Sequence, residues 1–287
     1  MSDPKFGEVN SRFAACAAVA ALALVGCAPD RREVQAETAD SAAAQHMEVS
    51  PAPTAAQPVA PAPRPVRHAD FGELRPGDDA RRIADWVVDS GDNRNAPFVI
   101  IDKPAATAYA FDRNGKVIGA APVLLGLAKG DDNPPHVGDK PLSAIPVEER
   151  ITAAGRYVAE LGYNLRGEDV LWVDYDSGLS LHRVLTKNRN ERRLQRLATP
   201  TPLDNRISYG CINVPVSFFE RVIRPAYRDT KGMVYVLPET RSAQAVFGAY
   251  DVEDRAVSDA QERERAAGYT KAATRGMLRE APATRLR

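Results

Sequence analysis

Residues 97–125 read PFVIIDKPAATAYAFDRNGKVIGAAPVLL, and this stretch sets the fold class. Its first two runs, PFVIIDK (97–103) and ATAYAFD (106–112), are too short for helices and rich in branched and aromatic residues, which predicts strands. Asp112-Arg113-Asn114-Gly115 is a turn signal, and KVIGAAPVLL (116–125) returns as the next arm of a hairpin. Working outward, GRYVAEL (155–161), DVLWVDY (169–175), GLSLHRV (178–184) and MVYVL (233–237) are four more strand candidates. Helical spacing is confined to two places. In DARRIADWVV (79–88) it puts Ile83, Trp86 and Val87 on one face, and from Pro215 to Tyr227 it aligns Val216, Phe219, Val222 and Ile223. Pro215 suits a first helical turn. Short strands, turn signals and few helices predict a mostly-β domain.

Composition narrows the class. Hydrophobic residues make up 44% of the 287 and charged residues 26%, the balance of a globular protein. Thirty-eight basic residues meet thirty-eight acidic ones, so the global excess of positive charge expected of a nucleic-acid binder is missing. No run of eighteen apolar residues points to a membrane span.

The N-terminal stretch reads differently. FAACAAVAALALV (13–25) follows Lys5 and Arg12 and has the length of a signal-peptide core. It ends in Leu24-Val25-Gly26-Cys27, which resembles a bacterial lipobox. That resemblance implies cleavage before Cys27, a lipid anchor on its sulfur and, with Ala28 next, transit to the outer membrane; the alternative is an ordinary cleaved signal and a soluble periplasmic protein. Residues 28–69 hold twelve Ala and seven Pro, and PAPTAAQPVAPAPRPVR (51–67) has too little apolar content for a core, so a disordered tether is expected. The expected organisation is signal 1–27, linker 28–69, a folded domain 70–240 and a charged helix or tail 241–287, solvated from Asp251 onward.

Three cysteines then reduce to one. On the lipobox reading Cys16 would leave with the signal and Cys27 would be lipidated, which would leave Cys211 without a disulfide partner in an oxidising compartment. It is either buried and inert or kept for its chemistry. Its setting, ISYGCINVP (207–215), has Gly210 beside it and a predicted helix start beyond, and a helix N-terminus favours thiolate. A thiol nucleophile needs a base, and His182 in GLSLHRV is the one histidine on a regular element of the body. His46 and His68 fall in the linker and His136 in a polar loop. Neither metal-ligand spacing nor a glycine-rich phosphate loop is present, so no cofactor or metal is implied.

His182 followed by Ser208-Tyr209-Gly210-Cys211-Ile212-Asn213 resembles the signature of the YkuD-type L,D-transpeptidases. Thr152-Ala153-Ala154-Gly155-Arg156-Tyr157 is similar to the turn that precedes the catalytic strands of that family, so the resemblance spans roughly 97–238. It implies a YkuD-like β-sandwich with a few flanking helices, and peptidoglycan stem peptides as partners. Cys211 would be the nucleophile and His182 its base, with the Arg183 carbonyl orienting the ring. Backbone N–H groups from Tyr209 to Cys211 would form the oxyanion hole, and Ser208 and Asn213 would order the loop.

Two departures stand out. Tyr209 replaces the motif's second histidine, and twenty-five residues separate His182 from Ser208 where the family has fewer. The extra segment is basic, with seven bases and two acids between Arg183 and Arg206; residues 186–206 form either a clamp over an anionic stem or a solvated helical insertion. Three activities remain open on these residues. They are transfer of the acyl group to an amine, its hydrolysis as an L,D-carboxypeptidase or amidase, and wall binding by a decayed site.

Overall fold

A helix and a strand pair laid against it begin the folded body. The computed structural model describes residues 65–261, 263 and 264, so the signal with Cys27, most of the linker and the end of the tail lie outside the described residues. Helix α1 (Asp78–Ser90) buries Ile83, Trp86 and Val87, carries Asp78 and Asp79 in its first turn, and ends at Gly91 with φ 73°. Strands β1 (Phe98–Asp102), β2 (Thr107–Phe111) and β3 (Val117–Pro122) follow as antiparallel neighbours. The β2–β3 turn closes where Asp112 Oδ1 accepts the N–H groups of Asn114 and Lys116. Gly115 has φ 86°, and a Cβ there would sit 2.2 Å from Val88, so the turn requires glycine.

The expected arm 116–125 is broken. β3 stops at Pro122, and β4 (Leu125–Gly126) belongs instead to a two-stranded ribbon with β8 (Arg206–Ser208). Proline offers no N–H to continue the ladder. The remaining strands are β5 (Gly155–Tyr163), β6 (Asp169–Asp174), β7 (Leu179–Arg183), β9 (Ile212–Val214) and β10 (Gly232–Val236). They complete an eight-stranded sheet in the order β3-β2-β1-β10-β5-β6-β7-β9, so the chain is mostly β with a few flanking helices. Only β1–β10 and β7–β9 are parallel within it.

The sheet curls until its edges meet. Leu124, just past β3, bridges Asn213 of β9 through two backbone hydrogen bonds of 2.8 and 2.9 Å. Inside the curl, Val99, Ala110, Ala121, Leu171, Leu181, Ile212 and Val234 share one core with Phe218, Phe219 and Ile223. Those last three come from the 215–227 segment, which is helical but holds a π turn at Phe219–Ile223 between Val216–Phe218 and Arg224–Ala226. On the other face, Phe98, Ile100, Phe111 and Tyr235 pack against α1, forming a second core. β1 is therefore buried on both faces, which is why its first four residues, FVII, are a continuous apolar run.

The segment after 240 packs more than a solvated tail would. Phe247, at the end of helix Ala243–Phe247, stacks on Trp86 with ring centroids 6.4 Å apart. Val252 is 4% exposed, and Arg255 and Tyr250 both bind the buried Asp89. A carboxylate buried inside the fold needs these partners, and the start of the tail supplies them.

Candidate active site

Period-two alternation builds the site on β7. Leu179 and Leu181 point into the core, so Ser180 and His182 share the opposite face. β9 runs parallel beside it with Leu181 level with Ile212 and His182 level with Asn213. Cys211, the residue before β9, thereby falls beside Ser180. The Ser180 hydroxyl donates to Cys211 Sγ at 3.5 Å, and the thiol in turn lies 3.5 Å from the Gly178 carbonyl.

His182 is oriented by the backbone. Its Nδ1 lies 2.7 Å from the Arg183 carbonyl oxygen. A carbonyl can only accept, so Nδ1 carries the hydrogen and Nε2 of the neutral ring is free to take a proton. Burial pushes the Cys211 thiol up, but the hydrogen bond and charge of His182, with further hydrogen bonds from Ser180, bring it down to about 7. Burial also works against the His182 imidazolium, and its interactions with Cys211 and the Arg183 carbonyl outweigh that, raising its pKa overall. Each group thus favours the charged form of the other. Arg183 anchors the end of β7 through ion pairs to Asp169 (2.9 Å) and Glu220 (2.5 Å) and lies 4.2 Å over the Phe219 ring.

The loop ahead of the cysteine is tied at several points. Gly210 has φ +132°, and a Cβ there would meet the Ile151 carbonyl oxygen at 2.8 Å. Ser208 Oγ accepts the Gly210 N–H at 3.1 Å and donates to the Cys211 carbonyl at 2.6 Å. Thr152, fully buried, donates to the Gly210 carbonyl at 2.7 Å and accepts the Gly126 N–H at 2.8 Å. Since the Gly210 N–H is taken by Ser208, it is not a free oxyanion donor. Among the described residues the N–H groups of Tyr209 and Cys211 have no acceptor, which narrows the expected hole to those two.

The helix expected from Pro215 forms there, but not close enough to act on Cys211. β9 intervenes, and helix begins only at Val216, so its N-terminus is a strand's length from the sulfur. The macrodipole falls off within about one turn, so the acidified thiol owes its shift to His182 and Ser180 instead.

Asn213 receives its order from the basic insertion. Its Nδ2 donates to the Cys211 carbonyl at 3.2 Å and lies 3.5 Å from His182 Nε2, while Arg193 Nη1 holds its Oδ1 at 2.6 Å. Arg193 opens helix α2 (Arg193–Ala198), pairs with Glu191 at 2.5 Å, and is 9% exposed. Leu197 of the same helix packs with Leu124, Val184 and Ile207. The insertion is therefore docked on the body, with one cation turned toward the site.

Around the thiol, Val137, Leu142, Ile145, Gly178 and Tyr209 line a cleft of about 90 Å³. Tyr209 is half-buried, and the Arg150 guanidinium lies over its ring at 4.1 Å.

Sequence reasoning left three contributors unassigned. Ser180 was legible in principle from the Leu179–Leu181 alternation, and Thr152 stood in the quoted turn without a role. Arg193 carried no signal beyond belonging to a basic segment. His136 is exposed, close to Asp139, and takes no part in the site.

No family model and no curated protein matches the chain. Among solved structures it is similar to an L,D-transpeptidase (Yku) from Stackebrandtia nassauensis, at 16% identity and a TM-score of 0.31. That match covers 50% of this chain and 56% of the other, so it spans little more than half the length of its neighbour. It is also similar to the catalytic domain of the E. faecium L,D-transpeptidase, at 17% identity and a TM-score of 0.26, covering 50% of this chain and 98% of that one. These are similarities of low score.

Proposed function

We propose that the protein is a cysteine-dependent acyltransferase of the L,D-transpeptidase type, acting on peptidoglycan stem peptides. The observation that carries this reading is the half-buried thiol of Cys211 facing a histidine whose Nδ1 is fixed on the Arg183 carbonyl. His182 Nε2 takes the thiol proton and the thiolate attacks a stem-peptide carbonyl carbon. The N–H groups of Tyr209 and Cys211 hold the oxyanion as the tetrahedral centre forms. Collapse breaks the C–N bond, and the leaving amine departs with the proton from His182. An acceptor amine then gives its proton to His182 and attacks the thioester, which restores the thiol and leaves a new amide. Cys27 with a lipid on its sulfur would tether the domain to the outer membrane, in the periplasm.

Incubating the full chain with tetrapeptide muropeptides, with Cys211→Ala as control, tests the reading by mass spectrometry. A cross-linked or amino-acid-exchanged product, lost in the variant, is expected. Tripeptide alone would make the enzyme a hydrolase, and no product would leave a wall-binding protein. Labelling of Cys27 by radioactive palmitate in cells tests the anchor; an unlabelled, soluble periplasmic form would remove it.

A further inference from the structure

Most cations around the site are already used. Arg183 pairs with Asp169 and Glu220, Arg193 with Glu191 and Asn213, and Lys140 with Glu149. Arg150 is different. Its Nε donates to the Ile145 carbonyl at 3.1 Å and its guanidinium lies over Tyr209 at 4.1 Å, yet among the described residues no carboxylate pairs with it and its two terminal nitrogens have no acceptor. Both contacts, Ile145 and Tyr209, line the cleft that holds Cys211, and Arg150 stands next to that lining without being part of it. A guanidinium whose Nε is tied and whose centre lies over an aromatic ring leaves its terminal nitrogens as a fork, the geometry that binds a carboxylate through two parallel hydrogen bonds. Stacking on the ring also lets the cation stay half-buried without a counter-ion.

We propose that Arg150, stacked on Tyr209, is a carboxylate-binding site at the edge of the cleft. Resting on the acyl-transfer reading, it seats a carboxylate of the stem peptide so that the neighbouring carbonyl meets Cys211. It also gives Tyr209 a task that differs from hydrogen bonding by a histidine: the ring is the platform for the fork. The carboxylate is either the terminal one of the peptide or one on a side chain.

Thiol labelling tests this without any muropeptide. The full chain is treated with 3-maleimidopropionate or with N-ethylmaleimide, and adduct is read on the peptide containing Cys211. The acid reagent should react faster and with saturation, and its advantage should fall about ten-fold in Arg150→Met while the N-ethylmaleimide rate and the melting temperature hold. Arg150→Lys should keep part of the advantage. Equal rate ratios in the parent chain and Arg150→Met would overturn the proposal. A second arm uses the unmodified protein, so it stands even if the variant folds poorly. N-acetyl-D-alanine, with a terminal carboxylate, and N-acetylisoglutamine, with only a side-chain carboxylate, compete against N-ethylmaleimide. Whichever protects Cys211 names the source, and protection by neither sinks the site. A chain that makes no muropeptide product but keeps the acid preference would remove the acyl-transfer reading and leave the carboxylate site standing.

Discussion

Two polar clusters lie on either side of Thr152 and share it, yet they are built to opposite ends. Behind it, Lys103 has a fully buried ammonium that donates to Asp131 at 2.8 Å, to the Gly130 carbonyl at 2.5 Å and to the Thr152 carbonyl at 3.0 Å. Asp131 also accepts from the backbone of Glu239, Thr240 and Arg241, and Glu239 pairs with Arg206 at 2.5 Å. Every donor of the Lys103 ammonium is used, so the centre of this hub is closed, and only Arg206 Nη1 at its edge is buried without a partner. In front, the Thr152 hydroxyl holds Gly210, and there Cys211 is left half-buried with two unused N–H groups nearby. A satisfied cluster contributes rigidity; an incompletely satisfied one is available to a substrate. One residue transmits the first to the second.

The contrast can be broken by mutation. Cys211→Ala should abolish product formation and move the melting temperature by less than about 2 °C, checked by muropeptide assay and thermal unfolding. A larger drop would make the cysteine a packing residue. Lys103→Met should do the reverse, costing about 3–5 kcal/mol in urea unfolding, because it takes the buried cation from Asp131 and the donor from the Gly130 and Thr152 carbonyls. Thr152→Val should sit between them. It leaves the buried Gly210 carbonyl and Gly126 N–H without their partner, at about 1–3 kcal/mol, and should lower turnover by releasing the cysteine loop. Stability lost with turnover intact would show that the two clusters are independent.

Smaller effects concern pH. Alkylation of Cys211 follows its thiolate, so the rate should rise with pH through a midpoint of about 7 and then level off. His182→Gln should move that midpoint up toward about 8.5, the value of a free thiol, since it removes the main opposing charge. Ser180→Ala should move it the same way by less, through loss of one hydrogen bond. Rates of iodoacetamide labelling across pH measure all three chains, and an unchanged midpoint in His182→Gln would uncouple the pair.

Much of this was legible in the chain. Strand runs such as FVIID and LSLHR survive because burial on one or both faces fixes their period, and the Asp112–Gly115 turn carries its own side-chain signal. β8 and β9, three residues each, offer too short a pattern to read, and they are the strands that hold Cys211 between them. Missing β9 hid the extended strand that separates the sulfur from the helix N-terminus. The unassigned partners share a cause: Thr152 and Arg193 reach the site through contacts fifty-eight and twenty residues away in sequence, which no local pattern encodes. The packing of Val252 and Arg255 was hidden by their charged surroundings.

The seam at Leu124–Asn213 reaches the reactive pair through one residue. Asn213 joins the two edges of the curled sheet through its backbone and touches the His182 ring and the Cys211 carbonyl through its side chain. β7–β9 pairing sets Cys211 beside Ser180, and the seam adds a second hold on the same asparagine. A change that parts the seam would therefore loosen the residue that touches both the imidazole and the cysteine carbonyl, at a distance from either.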